Sequence, residues 1–240
     1  MIYLVHVIPF EESFEEYSKG TRIAGSNGWY ADYSGEAGMV TNGTAVMAQL
    51  LDYVGLPART YPITGTHTQV LHVQDSLHNN VHSESITNVF VDFLMMMVPL
   101  IDEPSVDTND QIACYLTTNN HLVVWQRDVT AMTNEWVTLS NAPAISTSAW
   151  VRLTFESDYR NNMYQVRVNE GIPISDPHGW SGYGGSATGT WFYMAQTNGA
   201  MTTFKLTGEG SAYLEDFTVR AELPGNFGRR PPTGSIYSIR

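Results

Sequence analysis

The clearest pattern in the chain is an alternation of large apolar and mostly polar residues within Trp150 to Ser175. Residues Trp150 to Phe155 alternate in this way, and so do residues Met163 to Val168. Because successive side chains of a β-strand point to opposite faces, the pattern predicts two strands that each bury one face. The polar segment between them predicts a hairpin turn, and Asn169-Glu170-Gly171 has residue types that favour the next turn. A third short strand is expected at Ile172 to Ile174.

Comparable apolar runs predict strands along most of the chain. They are residues 1–9 as an edge strand, and then 68–74, 86–100, 136–139, 191–196, 202–207 and 212–221. Residues 111–126 predict a hairpin that turns at Asn119-Asn120. Tyr33 to Leu56 predicts two short strands, one of them containing Ala45 to Ala48, with a turn at Asn42-Gly43. Ser76 to Ser85 is polar and predicts a loop.

Charge and cysteine content exclude several classes of protein. The 240 residues carry a net charge of −12, and residues 1–219 hold 23 of the 24 acidic but only 8 of the 12 basic residues. Such an acidic body repels phosphate groups, which argues against nucleic-acid binding. The single cysteine, Cys114, excludes an intrachain disulfide. The longest apolar run, Phe93 to Ile101, is too short for a membrane-spanning helix.

Three segments carry a resemblance to a known family. They are Trp150 to Ser175, the opening segment Phe10 to Trp29 with Gly20, Gly25 and Gly28-Trp29, and the closing segment Leu206 to Val219. Together they resemble the concanavalin A-like, laminin-G-like jelly-roll domains of bacterial surface or secreted proteins. The resemblance implies an all-β, two-sheet antiparallel jelly-roll sandwich with extended N- and C-terminal segments. We therefore expect an N-terminal extension or edge strand at residues 1–9, the sandwich at 10–222 and a tail at 223–240.

The resemblance also implies a structural calcium ion. In related jelly rolls an early Glu and a late Asp meet at one end of the sandwich, and Glu15 and Asp216 occupy the matching positions. Calcium takes several oxygen ligands, of which only these two can be nominated. The alternative is that Glu15 belongs to a set of solvated carboxylates that includes Glu11, Glu12 and Glu16. The seven histidines are scattered along the chain, so the sequence predicts no transition-metal site.

Catalytic motifs are not found. The Glu-x-Asp-x-x-Glu string by which sandwich glucanases supply two carboxylates to one strand does not occur. A serine nucleophile elbow and a phosphate-binding glycine loop are also missing. We therefore expect a protein that is not an enzyme.

Aromatic residues in a glycine-rich loop are the best binding signal. Trp180 and Tyr183 lie among glycines in residues 176–185, and Asp176 and His178 stand beside them. Exposed aromatic rings can stack on a sugar, while the polar groups bond to its hydroxyls. The alternative is that Trp180 folds back over the core. Three further candidates have weaker claims: Tyr30, Tyr33 and Trp125.

Two functions remain open at this stage. The first is a non-catalytic extracellular or cell-surface module that binds a glycan or acts in adhesion. The second is a structural subunit that assembles with copies of itself into a surface layer, filament or virion. The basic tail favours the second, because it could dock on the acidic body of a neighbour. Its candidate assembly residues are Arg229, Arg230, Tyr237 and Arg240.

Overall fold

A computed structural model shows an all-β sandwich, to which the described residues add one helix. The structure describes residues 4–31, 38–57, 59–83, 86–180, 189–197, 199–207 and 212–224. The first strands are β1 (His6–Val7), β2 (Phe10–Glu12), β3 (Trp29–Ala31) and β4 (Gly38–Thr41), followed by helix α1 (Thr44–Gly55). The middle strands are β5 (Val70–Val73), β6 (Leu77–Asn79), β7 (Val81–His82), β8 (Asn88–Met96), β9 (Cys114–Leu116), β10 (Leu122–Asp128) and β11 (Thr133–Thr138). The last are β12 (Trp150–Asp158), β13 (Met163–Val168), β14 (Phe192–Tyr193), β15 (Phe204–Leu206) and β16 (Ala212–Arg220).

Two layers of strands enclose the main core. One layer is a large antiparallel sheet with the order β14-β13-β12-β8-β16-β5-β4. β2 pairs with the second half of β16, beyond the part that pairs with β5. The opposite layer consists of the sheets β11-β10-β9 and β15-β6-β3, and β1 adds a short parallel pair with β7. Apolar side chains from both layers form one cluster, in which Trp29 lies 5.6 Å from Phe217 between ring centroids. The predicted sandwich is therefore confirmed.

The hairpin of β12 and β13 has the bounds that its alternation favours. Val151, Leu153 and Phe155 point into the main core, while Arg152 and Thr154 point to the opposite face of the sheet. β12 continues to Asp158, three residues beyond the predicted end, because these residues still pair with β8. At the next turn Asn169 and Glu170 have φ values of 54° and 56°, as their residue types favour. Ile172 to Ile174 is not a strand, although Ile174 N donates to Val166 O at 2.9 Å.

The prediction of strands between Tyr33 and Leu56 was wrong for its second half, where α1 forms. The buried residues Val46, Leu50 and Tyr53 are spaced four and three apart, which places them on one face of a helix. They pack on the outer face of the large sheet against Leu94 and Trp150. The window Ala45 to Ala48 is too short to distinguish a strand from a turn of helix, and the packing partner decides between them.

The segment Ser76 to Ser85 was also predicted wrongly. It contains β6 and β7, so His78 and His82 lie on strands rather than in a loop. Polar residues are tolerated there because β6 and β7 pair with the edge strands β15 and β1. In the part of the chain that the structure describes, no helix has both the length and the apolar character that crossing a bilayer requires.

Candidate functional site

A pair of tryptophans lies on the outer face of the β9-β10-β11 sheet. Trp125 of β10 stands directly opposite Trp136 of β11, so both side chains leave the sheet on the same face. Their neighbours Val124 and Val137 point the other way, into the main core. The two indole rings lie 4.9 Å apart between centroids, at an angle of 55°. Tyr115 of β9 meets Trp136 edge-on at 4.9 Å and extends the aromatic surface.

This aromatic surface forms the floor of an open cleft of about 510 Å³. Its lining residues are Glu103, Pro104, Val106, Trp125, Asn134, Glu135 and Trp136. Among these described lining residues none is basic. Gln126 Nε2 donates to Glu135 Oε1 at 2.9 Å on the face of the sheet opposite to the two tryptophans. Burial, together with the negative charge of Glu103, raises the pKa of Tyr115. We call this feature the tryptophan cleft.

Little in the sequence indicated the tryptophan cleft. Trp125 was only a minor candidate, and Trp136 was assigned to a strand without a ligand role. The sequence does contain a signal for an exposed aromatic pair, because the two tryptophans occupy outward positions on two consecutive antiparallel strands. Glu103, Pro104 and Val106 also line the cleft; they precede Trp125 by about 20 residues, and only the fold brings them beside it.

The loop that starts at Asp176 has a different organisation from the one predicted. Asp176 is buried and accepts hydrogen bonds from Ser140 N at 3.0 Å, Ser140 Oγ at 3.1 Å and His178 Nδ1 at 2.7 Å. Burial raises the pKa of Asp176, but these bonds outweigh that effect and lower it below the usual value. The carboxylate therefore ties the loop to the end of β11.

Trp180 keeps 43% of its surface exposed and does not belong to the main core. Its backbone forms an isolated antiparallel β-bridge with Trp191, and the centroid of its ring lies 5.7 Å from that of the Tyr193 ring. The His178 side chain is 58% exposed beside it. Tyr183, the fourth predicted ligand residue, lies outside the described residues. A role of this loop in ligand binding stays a prediction.

A third feature is an acidic cluster at an irregularity of β16. The register shifts by one residue between Glu215 and Thr218, and Asp216 has a φ of 49°. Such a bulge allows two consecutive side chains to leave the sheet on one face. Here both carboxylates meet the His67 ring, whose Nδ1 lies 2.9 Å from Glu215 Oε1 and 3.4 Å from Asp216 Oδ1. Sequence reasoning missed His67, which is 148 positions away from Glu215.

The protonation of this cluster is strongly perturbed. Burial, reinforced by the charge of Asp216, raises the pKa of Glu215 well above its usual range. Burial is also the main cause that raises the pKa of Asp216 to about 8. Burial lowers the pKa of His67, which the charge of Glu15 opposes. Two negative charges therefore cannot remain here without a compensating cation or proton.

Glu15, the predicted partner of Asp216 in a calcium site, faces the same region. Its carboxylate accepts from Thr68 N at 2.6 Å, from Thr68 Oγ1 at 2.6 Å and from Gln69 N at 3.1 Å. These bonds fasten the N-terminal segment to the start of β5, while Asp216 bonds to Ile63 N at 3.1 Å. The expected pair thus lies in one neighbourhood, but Glu215 and His67 are the closer partners of Asp216.

The assembly residues Arg229, Arg230, Tyr237 and Arg240 lie outside the described residues. The assembly alternative therefore stays a prediction.

Comparison with family models found no match, and no curated protein matches the chain. Among solved structures, domain 4 of AbnA, an extracellular GH43 arabinanase of Geobacillus stearothermophilus in complex with arabinotriose, is 14% identical over 71% of this chain and 73% of that chain, with a TM-score of 0.35. A heptameric SAP-like pentraxin of Limulus polyphemus is 13% identical over 72% of this chain and 81% of that chain, also with a TM-score of 0.35. The catalytic domain of a glycoside hydrolase family 131 protein of Coprinopsis cinerea is 7% identical over 89% of this chain and 96% of that chain, with a TM-score of 0.37. At these values the likenesses assign neither a ligand nor an activity to this chain.

Proposed function

We propose that the chain is a non-catalytic glycan-binding β-sandwich module that acts outside the cell or at its surface. The tryptophan cleft carries this proposal. The cleft is open and has a volume of about 510 Å³. It brings two aromatic rings together with polar lining residues, and a sugar ring can stack on the former while it bonds to the latter.

The chemistry of the cleft favours neutral sugars. The ring of Trp125 or Trp136 would stack on the apolar C–H face of a pyranose or furanose, and Asn134, which shares their face of the sheet, would bond to its hydroxyls. A uronic or sialic acid would bring a carboxylate close to Glu103 and would be repelled. We therefore expect binding of neutral oligosaccharides and weak binding of acidic ones.

A glycan array followed by calorimetry with the best neutral oligosaccharide tests the proposal. Trp136→Ala should weaken binding by about tenfold or more, because the loss of a central aromatic contact commonly costs above 1 kcal/mol. Trp136→Tyr should restore part of the affinity, since a flat ring remains. Trp180→Ala is the matched control, because it removes another partly exposed tryptophan, on the loop that starts at Asp176.

The outcomes are distinct. Loss of binding in Trp180→Ala alone would move the site to the loop and overturn the assignment to the cleft. Equal affinity of Trp136→Ala and the wild type would also overturn the assignment of the site to the cleft, provided that circular dichroism shows both proteins to be folded. Release of new reducing ends from the bound glycan during incubation would overturn the non-catalytic part of the proposal.

A further inference from the structure

The acidic cluster at the bulge of β16 has a geometry that a hydrogen-bonded network does not account for. Glu215 and Asp216 are both fully buried, and the His67 side chain is only 3% exposed. One atom of each residue lies within 4.8 Å of the others. Glu215 Oε2, Asp216 Oδ1 and His67 Nε2 have no hydrogen-bond partner. Buried polar atoms without partners are rare in folded proteins, and here two of them belong to carboxylates that each contact one imidazole.

Ionisation of both carboxylates would place two negative charges in this buried cluster. A protonated His67 would supply only one positive charge. The guanidinium of Arg152, whose charge acts on Asp216, already bonds to Asp92 and faces Glu170 at 3.7 Å. A divalent cation would balance both ionised carboxylates at once, and Asp216 Oδ1, which has no hydrogen-bond partner among the described residues, would be one of its ligands.

We propose that His67, Glu215 and Asp216 form a buried site for a divalent transition metal of the zinc type. An imidazole nitrogen with two carboxylates is a donor set that suits zinc and its neighbours. Bonds of about 2.1 Å to the metal place adjacent ligand atoms about 3.0 Å apart in an octahedron and about 3.4 Å apart in a tetrahedron. The distances of 2.9 Å from His67 Nδ1 to Glu215 Oε1 and 3.4 Å to Asp216 Oδ1 fall in this range, although the first is also an ordinary hydrogen-bond distance.

The same residues fit calcium less well. Calcium is bound by six to eight oxygen atoms and not by imidazole. The Glu15 oxygens, which a calcium site would need, are already occupied by Thr68 and Gln69. The donor set thus favours a nitrogen-binding metal over the ion that the family resemblance implies.

The ion would join three parts of the chain that are distant in sequence. His67 precedes β5, Glu215 and Asp216 lie in β16, and Asp216 also holds the backbone of Ile63. A metal bound to the folded chain but not to the unfolded chain stabilises the fold, so metal removal should lower the melting temperature. This inference does not depend on glycan binding.

Calorimetric titration of chelator-treated full-length protein with Zn²⁺ tests the site. We expect one ion per chain and a melting temperature that rises by several degrees with Zn²⁺ but not with Ca²⁺ or Mg²⁺. Co²⁺ bound in the same place should show visible absorption bands of a nitrogen and oxygen donor set. His67→Gln and Asp216→Asn should each reduce the affinity at least about tenfold, as the loss of a first ligand requires.

His72→Gln provides the matched control. Like His67, His72 stacks on a tyrosine ring and has an Nε2 without a hydrogen-bond partner, but it has no carboxylate beside it. This variant should bind Zn²⁺ as the wild type does. The proposal is overturned if the wild type binds no stoichiometric Zn²⁺, if His67→Gln and His72→Gln have equal affinities, or if Ca²⁺ binds more tightly than Zn²⁺. Circular dichroism of each variant separates a lost site from a lost fold.

Discussion

Arg152 shows how a single charged residue can be held in a buried layer. Its side chain has no exposed surface, and it lies between the large sheet and the segment that follows α1. Nε donates to Asp92 Oδ1 at 2.9 Å and Nη1 donates to Thr60 Oγ1 at 2.6 Å. Thr154 Oγ1 also donates to Asp92 Oδ1, at 2.8 Å. Each partner thus satisfies a group whose desolvation would otherwise oppose folding.

Removal of one partner of the buried ion pair between Arg152 and Asp92 should strongly lower the stability of the fold. We expect Asp92→Ala to lower the free energy of unfolding by about 3 kcal/mol or more, because Arg152 would keep a buried charge with Glu170 as its remaining carboxylate. Urea denaturation followed by circular dichroism measures the change. Glu11→Ala is the control, since it breaks an ion pair with Arg220 whose side chains are 45% and 28% exposed. That change should cost no more than about 1 kcal/mol, and equal costs would contradict the argument.

The loop between β13 and β14 illustrates how one side chain sets the course of a segment. Besides the bonds from Ser140 and the His178 side chain, Asp176 accepts from His178 N at 3.0 Å, and its own backbone N donates to Gly189 O at 2.8 Å. The loop therefore leaves and returns beside the end of β11. The exposed Trp180 is positioned by this arrangement, whether or not it contacts a ligand.

Asp176→Asn should reveal this role through its dependence on pH. The folded protein lowers the pKa of Asp176, so the ionised carboxylate stabilises the fold above its unfolded pKa of about 4, and this stabilisation is lost as the pH falls through the lower folded value. At pH 7 the variant should be less stable by about 2 kcal/mol, as expected for charge-assisted hydrogen bonds. The difference from the wild type should shrink as the pH approaches 3 in urea titrations. A difference that is constant between pH 7 and pH 3 would contradict this role of the charge.

At the scale of the whole molecule, the large sheet is covered on both faces. The main core lies on one face, and α1 with Leu94, Met96 and Trp150 forms a second cluster on the other. Tyr53 at the end of α1 also donates to Asn169 Oδ1 at 2.9 Å, which connects the helix to the turn after β13. The strands of the large sheet therefore bury apolar residues on both faces near α1.

Two adjacent leucines of α1 test the contribution of this outer layer. Leu50 is fully buried against the sheet, whereas Leu51 is 59% exposed. We expect Leu50→Ala to lower the free energy of unfolding by about 2 to 5 kcal/mol, since it leaves a cavity, and Leu51→Ala to change it by less than about 0.5 kcal/mol. Thermal and urea denaturation measure both. Similar values for the two variants would show that α1 does not pack on the sheet.

The sequence alone determined the features that depend on neighbouring residues. Strict alternation located β12 and β13, and the residue types Asn169 and Glu170 marked the turn that follows them, because side-chain direction and backbone preference are local properties. Trp29, which ends the opening segment that carries the family resemblance, is fully buried. The closing strand β16 was likewise expected within one residue of its observed end.

The tertiary structure decided what depends on contacts between distant residues. α1 forms where a short apolar window also allowed a strand, since its buried face needs the large sheet as a partner. Trp125 and Trp136 became the floor of a cleft only when segment 103–106 packed beside them. His67 meets Glu215 and Asp216 because a bulge turns consecutive side chains to one face, and no periodicity in the sequence reveals where a bulge falls. Both candidate sites therefore depend on the packing of layers, whereas the individual strands depend on their own residues.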